Sequence, residues 1–82
     1  MVISSFDPNF ERKFSKIKNS ALKEKIIKQF YKIRENPEIG KPMRNIRKST
    51  REVYVAPFRL SYLYLKEENK IIFLDLYHKD EQ

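Results

Sequence analysis

The stretch REVYVAPFRLSYLYLKEENKIIFLDLYH, residues 51–78, decides the fold of this chain. It contains three segments rich in β-branched, leucine and aromatic residues, which span residues 51–56, 58–65 and 70–77. Segments of this composition predict strands. Pro57 separates the first two, because proline is excluded from central strands, and Glu67-Glu68-Asn69 separates the last two. Connections this short predict an antiparallel meander.

The N-terminal half predicts a strand followed by two helices. An apolar segment at residues 2–6 gives the strand, and the Asp-Pro pair at 7–8 starts a helix, with aspartate as its cap and proline in its first turn. Asn19 caps a second helix, which the Asn-Pro pair at 36–37 ends. Each helix carries one apolar face at helical spacing, formed by Phe10, Phe14 and Ile17 and by Leu22, Ile26, Phe30 and Ile33. Helices joined this closely predict an antiparallel hairpin.

The predicted fold class is therefore α+β, in the order β-α-α-β-β-β. We expect the helical hairpin to pack on one face of a mainly antiparallel sheet, and the other face to be partly open. The 82 residues form one domain, 1–82, because domains rarely divide below about 100 residues. A two-domain enzyme and a doubly wound nucleotide-binding sheet are excluded by this size.

The chain is strongly basic. Eighteen Lys and Arg residues against eleven Asp and Glu give a net charge of +7, which favours polyanionic partners such as nucleic acid, an acidic protein or an anionic membrane. Residues 41–51 hold five cations and no acid, namely Lys41, Arg44, Arg47, Lys48 and Arg51. We expect this run to bind a phosphate backbone; the alternative is a solvated loop.

Several classes of site and location are excluded by composition. Without cysteine there is no disulfide or thiol chemistry, and one histidine cannot hold zinc alone, so we expect no metal and no cofactor. The N-terminus lacks the features of a signal peptide, and no segment reaches the roughly 18 apolar residues of a membrane span. Nothing in these features argues for secretion, and we expect a cytoplasmic protein without a membrane partner.

Arg59 is the first candidate for chemistry, since it interrupts an apolar strand. Alternation places it with Ser61, Leu63 and Leu65, and it places the aromatic and leucine side chains on the opposite face, as Phe58, Leu60, Tyr62 and Tyr64. A guanidinium with five donors suits a phosphate or a carboxylate. The alternative is an internal ion pair with Asp75.

His78 and two tyrosines are further candidates. His78 follows the last strand, and imidazole transfers protons near neutral pH; the alternative is a structural or exposed histidine. Tyr54 and Tyr77 lie near strand ends, where their rings could stack on a nucleobase.

Three segments in this order resemble the RelE/ParE superfamily of toxins from type II toxin–antitoxin systems. They are ENPEIGKPMRN (35–45), REVYVAPFRLSYLY (51–64) and IIFLDLYHKD (71–80). The positions that match the family pattern are Asn36, Pro37, Gly40, Met43, Phe58, Arg59, Leu60, Tyr62, His78 and Lys79. The resemblance covers nearly the whole chain and implies the RelE-like, microbial-RNase-type fold.

The resemblance also implies an activity. RelE-like members enter the ribosomal A site and cut mRNA, through attack of a 2′-hydroxyl on the adjacent phosphate. Arg59 would then stabilise the phosphate charge, and His78 and Lys79 would transfer protons or contact phosphate. The family often has a tyrosine beyond this basic pair, and the sequence shows none up to Gln82, so Tyr54 or His78 is expected in its place. The five cations of 41–51 would bind ribosomal RNA.

The resemblance implies a cognate partner and leaves two other functions open. The partner is a RelB-like antitoxin, whose acidic segment would wrap the toxin and cover Arg59, in an assembly that could be a heterotetramer. Glu52 and Tyr54 stand where many active members carry basic residues. A ParE-like toxin that poisons DNA gyrase, or an inert homologue that only binds antitoxin, are therefore the alternatives.

Overall fold

The computed structural model describes residues 2–43 and 49–78, which form two helices and a five-stranded sheet. In chain order these are β1 (Ile3–Phe6), α1 (Pro8–Ser15), α2 (Ser20–Glu35), β2 (Lys41–Pro42), β3 (Thr50–Val55), β4 (Phe58–Leu65) and β5 (Lys70–His78). A 3₁₀ turn, Lys66–Glu68, joins β4 to β5. The predicted α+β class is confirmed. Neither helix of the described chain is long and apolar enough to cross a membrane.

Both helices begin at the predicted caps. The Asp7 carboxylate accepts a hydrogen bond from the Asn9 backbone N–H at 2.8 Å, and Pro8 occupies the first helical position. The Asn19 side chain accepts from the Leu22 backbone N–H at 3.1 Å. Each cap satisfies one backbone donor that the first helical turn leaves unpaired.

The strand order across the sheet is β1-β5-β4-β3-β2. The strands β3, β4 and β5 form the predicted antiparallel meander, and β1 pairs with β5 in parallel. The sheet also contains a strand that the predicted order β-α-α-β-β-β lacks, the two-residue strand β2, which pairs with β3 through Lys41 and Glu52. A strand of two residues has no alternation by which a sequence pattern could reveal it.

Aromatic side chains hold the helices to the sheet. The rings of Phe6, Phe10, Phe14, Phe30 and Phe73 form one cluster, with neighbouring centroids 4.7–6.0 Å apart. Phe30 of α2 contacts both Phe10 and Phe14 of α1, so the two helices meet through this cluster. Phe10 and Phe73 are fully buried, and burial of such rings is the main source of core stability.

The alternation predicted for β4 is confirmed. Leu60 and Tyr62 are fully buried beneath the helices, whereas Arg59 and Ser61 lie on the other side of the sheet, which we call the helix-free face. This face was expected to be partly open. It is exposed at the Tyr54 end, but Ser61 keeps only 5% of its surface accessible.

Candidate functional site

Strand register gathers polar side chains at one end of the helix-free face. Tyr54 of β3, Arg59 of β4 and Tyr77 of β5 are paired in one row across the three strands. Glu52 lies two residues before Tyr54, and therefore on the same face. We call Glu52, Tyr54, Arg59 and Tyr77 the Glu52 cluster.

Glu52 is the centre of this cluster. Its Oε1 accepts a hydrogen bond from Arg59 Nη1 at 2.6 Å, and its Oε2 accepts one from the Tyr77 hydroxyl at 2.6 Å. The Glu52 side chain retains only 14% of its accessible surface, and that of Arg59 retains 30%. Short bonds to a carboxylate in a partly dry site are stronger than neutral ones. Both oxygens of Glu52 are therefore fixed in position.

The Arg59 guanidinium keeps donors beyond the one given to Glu52. It lies over the Tyr54 ring, 6.0 Å from its centroid, in a cation–π arrangement. Its Nε atom is buried and has no hydrogen-bond partner in the described part of the chain. Buried donors are rarely left unpaired, and those that are often mark a functional position.

The alternative considered for Arg59, an internal ion pair, is present, but its partner is Glu52 and the suggested partner Asp75 is wrong. Asp75 instead accepts hydrogen bonds from Lys13 Nζ at 2.9 Å and Asn9 Nδ2 at 3.0 Å, both on α1. Arg59 is instead paired with Glu52 at 2.6 Å, so that each of the two charges has a different partner. Asp75 consequently fixes α1 to the sheet.

His78 is not part of the Glu52 cluster. Its ring meets Phe58 edge-on at 5.8 Å between centroids, and it shares the helix-bearing side of β5 with the buried Leu76. The predicted candidates Arg59 and Tyr54 are thus brought together, while His78 lies across the sheet from them. The catalytic roles of all three stay predictions, and Lys79 lies outside the described residues.

The basic run is described only at its two ends. Lys41 is exposed on the edge strand β2. Arg51 donates hydrogen bonds to the carbonyl oxygens of Glu38 and Gly40, at 2.9 and 2.8 Å, and so holds the loop after α2. The remaining three members of the run, Arg44, Arg47 and Lys48, lie outside the described residues.

Sequence reasoning missed Glu52 and Tyr77 as members of one site. At Glu52 the family pattern indicates only the loss of a basic residue. The sequence does contain one indication of this site, the short connection between β3 and β4. A short connection determines the register of the two strands, and this register places Glu52 and Arg59 on the same face of the sheet, near the same end. In the described ranges, 2–43 and 49–78, no group of three or more acidic or histidine side chains could hold a metal ion.

The chain matches a protein-family model over nearly its full length. Residues 5–82 match the model described as the ParE toxin of the type II toxin–antitoxin system parDE. No curated protein matches the chain.

Solved structures share the fold at low sequence identity. A chain of the intact E. coli RelBE toxin–antitoxin complex superimposes with a TM-score of 0.83 at 20% identity, with all of both chains covered. A chain of the RelBE2 complex from Mycobacterium tuberculosis gives 0.80 at 20% identity, covering 95% of this chain and 98% of that one. The YoeB/ParE toxin from Agrobacterium tumefaciens gives 0.82 at 11% identity, covering 94% and 98%.

Proposed function

Because the chain belongs to the ParE toxin family of type II toxin–antitoxin systems, we propose that it inhibits translation by cutting mRNA on the ribosome. The observation that carries this proposal is the Glu52 cluster. It holds a carboxylate, a guanidinium and a phenol within hydrogen-bond distance of one another, on one face of the sheet. These are the groups that RNA transesterification requires: a base, a cation for the phosphate and a proton donor.

The reaction proceeds through transfer of one proton from sugar to leaving group. The Glu52 carboxylate takes the proton of the 2′-hydroxyl as that oxygen bonds to the adjacent phosphorus. Arg59 stabilises the extra negative charge on the phosphate oxygens. The bond from phosphorus to the 5′ oxygen breaks, and the 5′ oxygen takes a proton from the Tyr77 hydroxyl. Tyr77 recovers that proton from Glu52, to which it is hydrogen-bonded at 2.6 Å.

Tyr54 supplies a surface for the substrate. The residue is 55% exposed beside Arg59, and exposed aromatic rings stack on nucleobases. The net charge of +7 draws the chain to ribosomal RNA, to which Lys41 and the other cations of 41–51 are assigned. His78 and Lys79 are assigned to contacts with phosphate beyond the scissile one.

An antitoxin partner is part of the proposal. Two of the similar structures are chains of complexes between a toxin and its antitoxin. A basic chain of this size is suited to an acidic partner, because opposite charge speeds encounter and suppresses wrong pairings.

The test is mRNA cleavage in a purified translation system, with the 5′ ends of the products mapped. We expect the wild type to cut in the A-site codon only when ribosomes are present, and Arg59→Ala to cut at least about 100-fold more slowly. The matched control is Lys28→Ala, an exposed position on α2, which should cut like wild type. Folded wild-type protein that leaves ribosome-bound mRNA intact would overturn the proposal.

Arg59→Ala needs a companion variant, because it leaves the Glu52 carboxylate without its cation. The double variant Arg59→Ala/Glu52→Ala removes both charges and should keep the fold while lacking cleavage. Circular dichroism and thermal unfolding of both variants separate loss of chemistry from loss of structure.

A second candidate is a toxin that poisons DNA gyrase, in the manner expected of ParE-like members. The observation that favours it is the ion pair of Arg59 with Glu52, which already offsets the charge that a phosphate would meet. Accumulation of gyrase–DNA cleavage complexes in vitro, without mRNA cuts, would support this candidate. Normal growth of cells that express soluble toxin alone would indicate an inert homologue.

A further inference from the structure

The strand β5 places two core residues at a spacing that regular alternation does not allow. Phe73 and Leu76 are both buried in the core, although side chains three residues apart on a regular strand lie on opposite faces. Leu74 lies between them without a pairing partner on β4, which identifies a β-bulge. The bulge shifts the later residues of β5 by one position, and this shifted register pairs Tyr77 with Arg59.

Asp75 lies directly after the bulge, and one of its oxygens binds three donors. Its Oδ1 accepts hydrogen bonds from the Leu76 N–H at 2.7 Å and from Asn9 Nδ2 at 3.0 Å, and it forms an ion pair with Lys13 Nζ at 2.9 Å. Asn9 and Lys13 are four residues apart on α1, so they lie on one face of that helix. These contacts tie the shifted half of β5 to α1.

The alternative to the bulge is a regular strand whose second half is slipped by one residue. In that register Leu76 would lie opposite Arg59, and Asp75 would take the place where Leu76 now keeps 2% of its surface accessible. A carboxylate buried there without partners costs far more free energy than the leucine that it replaces. The slip would also turn Tyr77 to the helix-bearing side of the sheet, away from Glu52.

We propose that Asp75 is a positioning residue, which fixes the register of β5 and thereby holds the Tyr77 hydroxyl on Glu52. Its contacts with α1 stabilise the bulged register, and its charge opposes the slipped one. The bond from the Tyr77 hydroxyl to Glu52, at 2.6 Å, is available only in the bulged register. This inference rests on the function proposed above, in which Tyr77 gives its proton to the leaving oxygen. Asp75 acts through Tyr77 and does not itself contact the RNA.

The test begins with the register of three full-length variants, read by NMR from contacts between the backbone protons of paired residues. Asp75→Leu supplies a leucine that fits the core, so Arg59 should contact Leu76 instead of Tyr77. Asp75→Asn keeps an oxygen acceptor and stays costly to bury, so it should keep the wild-type contacts. Glu67→Leu, the same kind of change in the exposed 3₁₀ turn, is the matched control and should also keep them.

The rate of cutting on the ribosome then connects register to chemistry. Asp75→Leu should lower the maximal rate at least about 100-fold, as expected for loss of a proton donor, while the half-saturating ribosome concentration changes less than about threefold. Asp75→Asn and Glu67→Leu should cut within about threefold of wild type. A loss that came only from weaker ribosome binding would overturn the inference.

Deletion of Leu74 separates positioning from general destabilisation. It removes the bulge but keeps the later pairs, because Ser61 and Tyr62 already pair with Asp75 and Phe73. In this shortened chain Asp75→Leu should no longer lower the rate.

Two results would overturn the role of Asp75. One is wild-type register in Asp75→Leu, and the other is an equal loss of rate with and without Leu74. Wild-type protein that leaves ribosome-bound mRNA intact would instead overturn the proposed function, and the NMR comparison would still decide whether Asp75 fixes the register.

Discussion

Tyr62 joins the sheet to the loop after α2 through a single hydroxyl. The ring is fully buried beneath the helices, and its hydroxyl donates to the Pro37 carbonyl at 2.8 Å and accepts from the Gly40 N–H at 2.9 Å. Position 40 has room only for glycine, because a Cβ there would lie 2.6 Å from the Tyr62 hydroxyl oxygen. Burial raises the pKa of Tyr62 above its ordinary value of 10.0.

Tyr62→Phe should therefore destabilise the fold by about 1–3 kcal/mol, because it leaves the buried Gly40 N–H without an acceptor. The difference from wild type should shrink as pH rises above 10.0, where the unfolded chain loses the phenol proton before the folded chain does. Urea unfolding between neutral pH and pH about 11 measures both effects. Tyr31→Phe, at a side chain that is 61% exposed, is the control and should follow wild type throughout.

Single residues also show where sequence reasoning ends. Arg59 stands out in the sequence as a cation within an apolar strand. The sequence does not identify its partner, because the choice between Glu52 and Asp75 depends on the register of β3 and β5 against β4. A bulge at Leu74 shifts the register of β5 by one residue, and the Asp75 carboxylate contacts Asn9 and Lys13 of α1 rather than Arg59. Alternation cannot reveal a one-residue insertion, and one such shift exchanges the faces of a strand.

At the scale of elements, the sequence predicts the helices and long strands well because their signals are local. The capping side chains of α1 and α2, the proline after α2 and the alternation of β4 each act within a few residues. The strand β2 depends instead on pairing with β3 across the chain, and its two residues carry no pattern of their own. The convergence of Tyr54, Arg59 and Tyr77 likewise depends on pairing between strands.

The cap of α1 gives a prediction at this scale. Asp7→Ala should lower the free energy of unfolding by about 1 kcal/mol, because the Asn9 N–H loses its acceptor. Asp7→Asn keeps an oxygen acceptor, so it should lower the free energy of unfolding by only a few tenths of that amount, through the lost negative charge at the helix N-terminus. Equal losses in the two variants, measured by urea unfolding, would show that charge rather than the hydrogen bond stabilises this end.

At the scale of the whole molecule, the two faces of the sheet have different roles. The Glu52 cluster lies on the helix-free face, whereas the other face packs against the helices and forms the core. A net charge of +7 surrounds both and favours RNA as well as an acidic partner. Because net charge does not distinguish between these partners, the resemblance of Arg59 and the surrounding segments to a known family is more informative about function than charge alone.

Charge makes RNA binding by this chain dependent on salt. Affinity for a single-stranded RNA should fall by about tenfold or more between about 50 and 200 mM salt, since each neutralised phosphate releases counterions. Lys41→Ala should reduce the slope of log affinity against log salt by about 0.7, if Lys41 contacts one phosphate. Fluorescence anisotropy measures the slope, and an affinity that is indifferent to salt would exclude a phosphate-binding surface.

The most direct test of the central claim is the rate at which Glu52→Gln cuts one A-site codon on the ribosome. Glutamine retains the size and a hydrogen-bonding oxygen of glutamate but cannot take a proton, so the account predicts a rate at least about 100-fold below wild type. In the wild-type reaction, the upstream RNA fragment should end in a 2′,3′-cyclic phosphate and the downstream fragment should begin with a 5′-hydroxyl. A Glu52→Gln variant that cuts as fast as wild type, or faster, would show that Glu52 blocks Arg59 rather than serving as the base.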